Sequence, residues 1–145
     1  MSVEVEVVRG ATDEVVEAIA RLLPQLSSTA GVPDRDSVAA LLRSDANTLL
    51  VARVEGRVVG MLTLILFPLP TGLRGRIEDV VVDGAARGHG VGAALTEEAL
   101  RLAEVAGART VDLTSRPSRQ AANRLYERLG FKARDSQVHR FVVRS

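Results

Sequence analysis

Glycines alternate behind an arginine at Arg87-Gly-His-Gly-Val-Gly92, downstream of an apolar run, Ile77 to Val82, that carries two carboxylates, Glu78 and Asp79. The run reads as a buried strand that breaks into a turn and then opens a helix. Such a turn aims several backbone N–H groups, and the positive end of a helix dipole, at one point outside the strand. That is phosphate-binding chemistry. Three readings compete. Gly88-x-Gly90-x-x-Ala93, with Asp112 downstream, matches a dinucleotide fingerprint. Against it, Asp83 to Arg87 separate strand from glycine, Asp112 sits mid-strand, and no repeated βαβ units precede it. A plain strand–helix connection needs only one or two glycines, since each costs about 0.5–1 kcal/mol in backbone entropy. The third reading has Arg87-x-x-Gly90-x-Gly92 cradling a pyrophosphate.

The elements that must position this turn follow from periodicity. Val3 to Val8 alternates valine with glutamate, an edge-strand pattern. Thr12 suits an N-cap, and Val15, Ile19, Leu22, Leu23 and Leu26 follow at helical spacing. A short helix is expected over Ser37 to Arg43. Strands at Thr48–Val54 and Arg57–Phe67 meet across Glu55-Gly56, a hairpin signal. Pro68 to Gly75 reads as a loop. Behind the glycine turn, a helix buries Val91, Leu95, Ala99, Leu102 and Ala106 and ends at Gly107. A strand at Arg109–Thr114, a helix capped by Ser118 and stopped by Gly130, and a closing strand pair at Phe131–Arg134 and Val138–Val143 complete the chain. The order β-α-α-β-β-β-α-β-α-β-β predicts one α/β or α+β domain over residues 1–145.

Composition removes several function classes. The 145 residues carry a net charge of +1, with three Phe, one Tyr and no Trp. Neither phosphate neutralisation nor base stacking is well served, so nucleic acid is not expected as a partner. The absence of cysteine excludes disulfides, thiolate metal sites and an acyl-cysteine intermediate. With only His89 and His139, a multi-histidine metal site is not expected. The N-terminus lacks a signal-peptide core and the longest mainly apolar run falls short of the ~20 residues that span a bilayer, pointing to a cytoplasmic protein without membrane contact.

Val80-Val-Val-Asp-Gly-Ala-Ala-Arg-Gly-His-Gly-Val-Gly92 resembles the acetyl-CoA motif of the GNAT superfamily of N-acetyltransferases, and Asn123-Arg-Leu-Tyr-Glu-Arg-Leu-Gly-Phe131 resembles its second signature. The two motifs stand in the family's order, and so do the elements. The resemblance implies a mixed central sheet of about seven strands flanked by four helices, with strands four and five splayed. It implies that Val80, Val81 and Val82 lie along the pantetheine arm. It also implies that Arg87, Gly88, His89, Gly90, Val91, Gly92 and Ala93 surround the pyrophosphate, with His89 as a solvent-facing loop residue.

Acetyl transfer requires an amine to lose a proton, a thioester carbonyl to be polarised and a thiolate to be protonated as it leaves. By resemblance a backbone N–H near Val81 serves the carbonyl and Tyr126 the thiolate. Glu78 is the candidate base, directly or through water, because a carboxylate inside an apolar strand needs a reason. Alternation places Glu78 with Val80 and Val82, and Asp79 with Ile77 and Val81; Arg74, Arg76 or Arg109 could instead partner one carboxylate. Many relatives have an asparagine where Arg119 stands, a cofactor contact that Asn123 or Ser118 could replace. No metal is implied, and transfer is expected to be direct.

The resemblance implies that the acceptor is a primary amine of a small molecule or peptide. The strand from Arg74 to Asp83 resembles that of glucosamine-6-phosphate N-acetyltransferases, where Arg74 or Arg76 could meet a phosphate. The alternative function is a non-catalytic acetyl-CoA-binding sensor or partner module. Relatives are often homodimers, and Val138–Val143 could contribute to such an interface.

Overall fold

The structure, a computed structural model, describes residues 2–144; Met1 and Ser145, the ends of the expected domain, lie outside the described residues. Chain contacts divide it into two compact units, Met1–Thr114 and Ser115–Ser145. The first holds β1 (Val3–Val7), α1 (Asp13–Leu26), α2 (Arg35–Arg43), β2 (Asn47–Val54), β3 (Arg57–Leu69), β4 (Gly72–Val82), a 3-10 turn (Gly84–Ala86), α3 (Val91–Ala106) and β5 (Thr110–Asp112). The second holds α4 (Gln120–Arg128). The strands form one mixed sheet in the order β1-β2-β3-β4-β5, antiparallel except for the parallel β4–β5 pair.

Local chemistry explains the element ends. The Thr12 hydroxyl accepts from Val15 N at 3.2 Å, and the Asp34 carboxylate accepts from Ser37 N at 2.8 Å, starting α2 two residues before the expected Ser37. Glu55 and Gly56 have φ of 51° and 79°, the two positive values that a two-residue hairpin loop requires. Gly107, at φ 84°, ends α3 with its N–H on Ala103 O and Glu104 O.

The sheet separates two apolar layers. Met61 and Val81 join Leu49, Val51, Val15, Ile19, Leu22 and Val38 on one face. On the other, Gly60 lets α3 come close: an added Cβ would stand 2.8 Å from Val91 Cγ1 and 3.1 Å from Leu95 Cδ1. Leu62 and Leu64 follow Gly60 on that face and are fully buried.

Four expectations are corrected. The segment Pro68–Gly75 is no loop: β3 runs to Leu69, β4 starts at Gly72, and Leu69 pairs with Gly72. Past Ile65 the β2 ladder has ended, so Pro68 lies on a stretch laddered only to β4, where a missing N–H is tolerated. Helix α3 buries Ala103 rather than Ala106, which is exposed. The N-cap of α4 is Arg119, which offers no side-chain cap, rather than Ser118. Finally, the described residues form a sheet of five strands and not about seven, because among them Phe131–Arg134 and Val138–Val143 form no ladder. Alternation alone cannot hold a strand that has no neighbour.

Candidate functional site

The strand entering the glycine turn contains an irregularity that alternation could not show. Leu64 pairs with Ile77 and Thr63 with Glu78, but Met61 pairs with Val81. Asp79 and Val80 therefore stand together opposite Leu62, a β-bulge, and Asp79 takes φ 52°. Aspartate is one of the few residues that reach this left-handed region at modest cost. Directly opposed residues share a face, so the extra residue re-sorts the strand. Glu78 shares the face of Val81, and Ile77 that of Val82, correcting the expected grouping of Glu78 with Val82 and of Ile77 with Val81.

On its other side β4 pairs with β5 only through Arg74↔Thr110, Gly75↔Val111 and Arg76↔Asp112. Among the described residues, Ile77–Val82 has no ladder partner on that side. Such an edge presents backbone donors and acceptors to an extended ligand.

Of the three arginines weighed as carboxylate partners, Arg76 is the one that pairs with Glu78. Its Nε donates to Glu78 Oε2 at 2.5 Å, and its Nη2 to Thr114 Oγ1 at 2.7 Å. Arg74 instead binds the Thr71 and Thr110 hydroxyls, and Arg109 the Thr71 carbonyl. Asp79 is exposed at the bulge, and its carboxyl is pushed above the usual range, first by partial desolvation and then by the Glu78 charge.

Beyond β4 the chain is pinned before it turns. Asp83 N–H donates to Val59 O at 2.8 Å. The Asp83 carboxylate accepts from Ala85 N at 3.1 Å and from Arg21 Nη1 at 2.8 Å. Arg21 Nη2 also donates to Val58 O at 2.8 Å, and Gln25 Oε1 accepts from Gly84 N at 2.9 Å. These bonds, led by Ala85 N–H, hold the Asp83 carboxyl below its usual range. Arg21 and Gln25 are positioning residues that sequence reading missed. Their one signal was the i, i+4 spacing that puts both on one face of α1.

The turn itself runs through Gly88 at φ 88° and Gly90 at φ 74°, with Gly90 as the N-cap of α3. An added Cβ would meet nothing within 4 Å at either glycine, so the backbone conformation, not space, calls for glycine. Arg87 and His89 are exposed. The first helical bond is Ala94 N to Gly90 O. Among the described residues no acceptor takes the N–H groups of Arg87, Gly88, His89, Gly90, Val91, Gly92 or Ala93. A run of free donors at a helix N-terminus suits the oxygens of a phosphate. Beside it lies a cavity of about 170 Å³ lined by residues that include Arg57, Asp83 and His89. No group of three His, Asp or Glu residues suited to a metal occurs among the described residues.

In the second unit, α4 carries Asn123 and Tyr126 three residues apart. Asn123 Nδ2 donates to Arg116 O at 3.0 Å, tying the helix to the loop before it. Tyr126 is buried, with its ring edge-on to Phe131 at 5.7 Å between centroids and an interplanar angle of 64°. Burial raises the phenol pKa and the Arg119 charge opposes that rise, so the hydroxyl keeps its proton at neutral pH. Glu78, Val80–Val82 and residues 87–93 thus belong to one strand–turn–helix segment of the first unit, whereas Asn123 and Tyr126 belong to the second.

The model of the acetyltransferase (GNAT) family matches residues 14–131. A glucosamine 6-phosphate N-acetyltransferase of Trypanosoma brucei brucei is 40% identical over 86 residues, which are 57% of this chain and 56% of that protein. The chain thus matches little more than half the length of that curated relative. A crystal structure of an acetyltransferase from Trypanosoma brucei superposes with a TM-score of 0.79 at 28% identity, covering 97% of this chain and 100% of that one. An aminoglycoside acetyltransferase from an uncultured soil metagenomic sample shares the fold, with a TM-score of 0.84 at 20% identity over 99% of this chain and 97% of its own. With a family model spanning its strand–turn–helix segment and α4, the chain belongs to the GNAT acetyltransferase family.

Proposed function

We propose that the chain is an acetyl-CoA-dependent N-acetyltransferase that moves an acetyl group directly to a primary amine of a small molecule or peptide. The observation that carries this reading is the run of free N–H groups from Arg87 to Ala93, placed just beyond a strand edge with no ladder partner. These groups would hold the pyrophosphate of the donor, with a charge-assisted contact from the Arg87 guanidinium. Val80, Val81 and Val82 would hold its pantetheine arm, as a sheet edge accepts a strand. Asn123, with its amide nitrogen on Arg116 O, keeps its carbonyl oxygen for a contact of its own. When bound, acetyl-CoA supplies the acetyl group as an activated thioester.

The residues of the chain then have distinct tasks. A backbone N–H of β4 near Val81 polarises the carbonyl, and Tyr126 gives its proton to the departing sulfur. Glu78 takes the proton from the amine, directly or through water, and Arg76 orients it. Asp79 is a second candidate for that step, favoured by its raised pKa and exposed position on the bulge. The name of the curated relative makes glucosamine 6-phosphate the first acceptor to try.

The test is CoA release from acetyl-CoA across a panel of primary amines, run beside thermal melts with acetyl-CoA. Amine-dependent release supports the enzyme. Stabilisation without release on any amine points to the non-catalytic binding module, and neither effect overturns both readings.

A further inference from the structure

The first turn of α3 carries a hydrogen bond that the proposed transfer does not use. Thr96 is 1% exposed, the one buried residue with a polar side chain among those described in the first unit. Its Oγ1 donates to Gly92 O at 2.7 Å, four residues back along the helix. Threonine is a poor occupant of such a position. Its branched Cβ loses rotamer freedom against the preceding turn, and its hydroxyl needs a partner once buried. The other buried residues of α3, Val91, Leu95, Ala99 and Ala103, are all apolar. Turning the hydroxyl back on the helix meets the second requirement and leaves the first.

The bond lands on a particular carbonyl. Helical geometry already gives Gly92 O to the N–H of Thr96, so this oxygen takes two donors. The carbonyl of Gly92 and the N–H of Ala93 belong to one planar, conjugated peptide group. Donors on the oxygen draw electrons toward it and leave the N–H more positive, the cooperative strengthening of hydrogen bonds in series. The N–H groups from Arg87 to Ala93 lack an acceptor among the described residues. Among them, that of Ala93 is the one whose own peptide carbonyl accepts from a side chain. A more positive N–H gains most where its acceptor is charged, as a phosphate oxygen is.

We propose that Thr96 is a positioning residue of the phosphate cradle. Its hydroxyl polarises the Gly92–Ala93 peptide and fixes its plane, so that the Ala93 N–H is a stronger and better-aimed donor to a phosphate oxygen. Thr96 acts through that peptide and not by contact, because its side chain is enclosed within the fold. The inference deepens the reading of residues 87–93 as the pyrophosphate site and rests on it.

Thr96→Val replaces the hydroxyl with a methyl group of nearly equal size, Thr96→Ala is a second hydroxyl-free variant, and Thr96→Ser keeps the hydroxyl. Each full-length variant is titrated with acetyl-CoA by calorimetry, beside thermal melts and amide correlation spectra without ligand. The Kd should rise roughly two- to four-fold in Thr96→Val and Thr96→Ala and recover in Thr96→Ser, with melting temperatures little changed. In the spectra the Ala93 amide proton should move upfield in the two hydroxyl-free variants, while those of Arg87 to Gly90 hold their places. Unchanged affinity in both hydroxyl-free variants would overturn the proposal. A loss of affinity that Thr96→Ser does not restore, or an unmoved Ala93 amide, would overturn it equally. If the unmodified chain binds no acetyl-CoA, the cofactor reading fails and this inference falls with it.

Discussion

The strand–turn–helix segment from Ile77 to Ala106 and the C-terminal segment from Phe131 to Arg144 both read as regular structure in the sequence, and only the first becomes so. The difference lies in what covers each. The first segment has β3 laddered to its strand, Gly60 clearing the way for Val91 and Leu95, and Arg21, Gln25 and Val59 tying down the residues between strand and turn. The second has valines and a phenylalanine at strand spacing but forms no ladder among the described residues. A hydrophobic period states what a segment can bury, and the surface that receives it must come from elsewhere.

This contrast can be broken or sharpened by substitution. The largest effect is expected from the one buried side chain among the described residues of the second unit. Tyr126→Phe should lower kcat roughly 100-fold, within the range of a general acid, while acetyl-CoA affinity and melting temperature barely move. A loss of stability in place of rate would reduce Tyr126 to a core aromatic. Next comes Gly60→Val, which forces a branched side chain into the contact with Val91 and Leu95 and should cost about 2 kcal/mol in urea unfolding. An unchanged midpoint would mean that the approach of α3 to the sheet is not the constraint described.

Arg21→Leu should cost about 1–2 kcal/mol, because it leaves the buried side of Asp83 without its charged donor. It should also raise the KM for acetyl-CoA more than it lowers kcat, as expected for a residue that sets the turn rather than touching the reacting atoms. Equal loss in both parameters would assign it a different role.

A smaller effect is read in acid. The native pKa of Asp83 is depressed, so it contributes stability above its unfolded value of about 3.9, and that contribution is lost as pH falls through the native value. Asp83→Asn should therefore flatten the fall of melting temperature between roughly pH 5 and 2. Asp79 has the opposite sign: its raised pKa stabilises the fold below the unfolded value and that benefit disappears as pH rises through the native one. Asp79→Asn should steepen the same acid-side fall. Two superimposable pH curves would contradict both assignments.

Much of the first unit was legible because its signals are local. Thr12, Gly107 and the Glu55-Gly56 turn declare their roles through one or two residues. The strand, turn and helix around Arg87–Gly92 likewise follow from glycines and apolar spacing. What escaped depends on partners distant in sequence. The bulge at Asp79 shows only in register with Leu62, and an inserted residue leaves no mark in the alternation. The clamp of Arg21 and Gln25 on Asp83 and Gly84 spans about sixty residues of chain. Pro68 and Gly72 looked like breakers because nothing local reveals that β2 ends before them. The pairing of Glu78 with Arg76 was one of three open choices until the side chains were in place.

The central claim is that the N–H groups of residues 87–93 receive the phosphates of acetyl-CoA. Hydrogen–deuterium exchange of the full chain, with and without saturating acetyl-CoA, reads those groups directly, since none has an acceptor within the described chain. The account predicts that exchange across Arg87–Ala93 slows markedly on binding, with lesser protection at Val80–Val82. Binding that leaves the Arg87–Ala93 amides unprotected would contradict it.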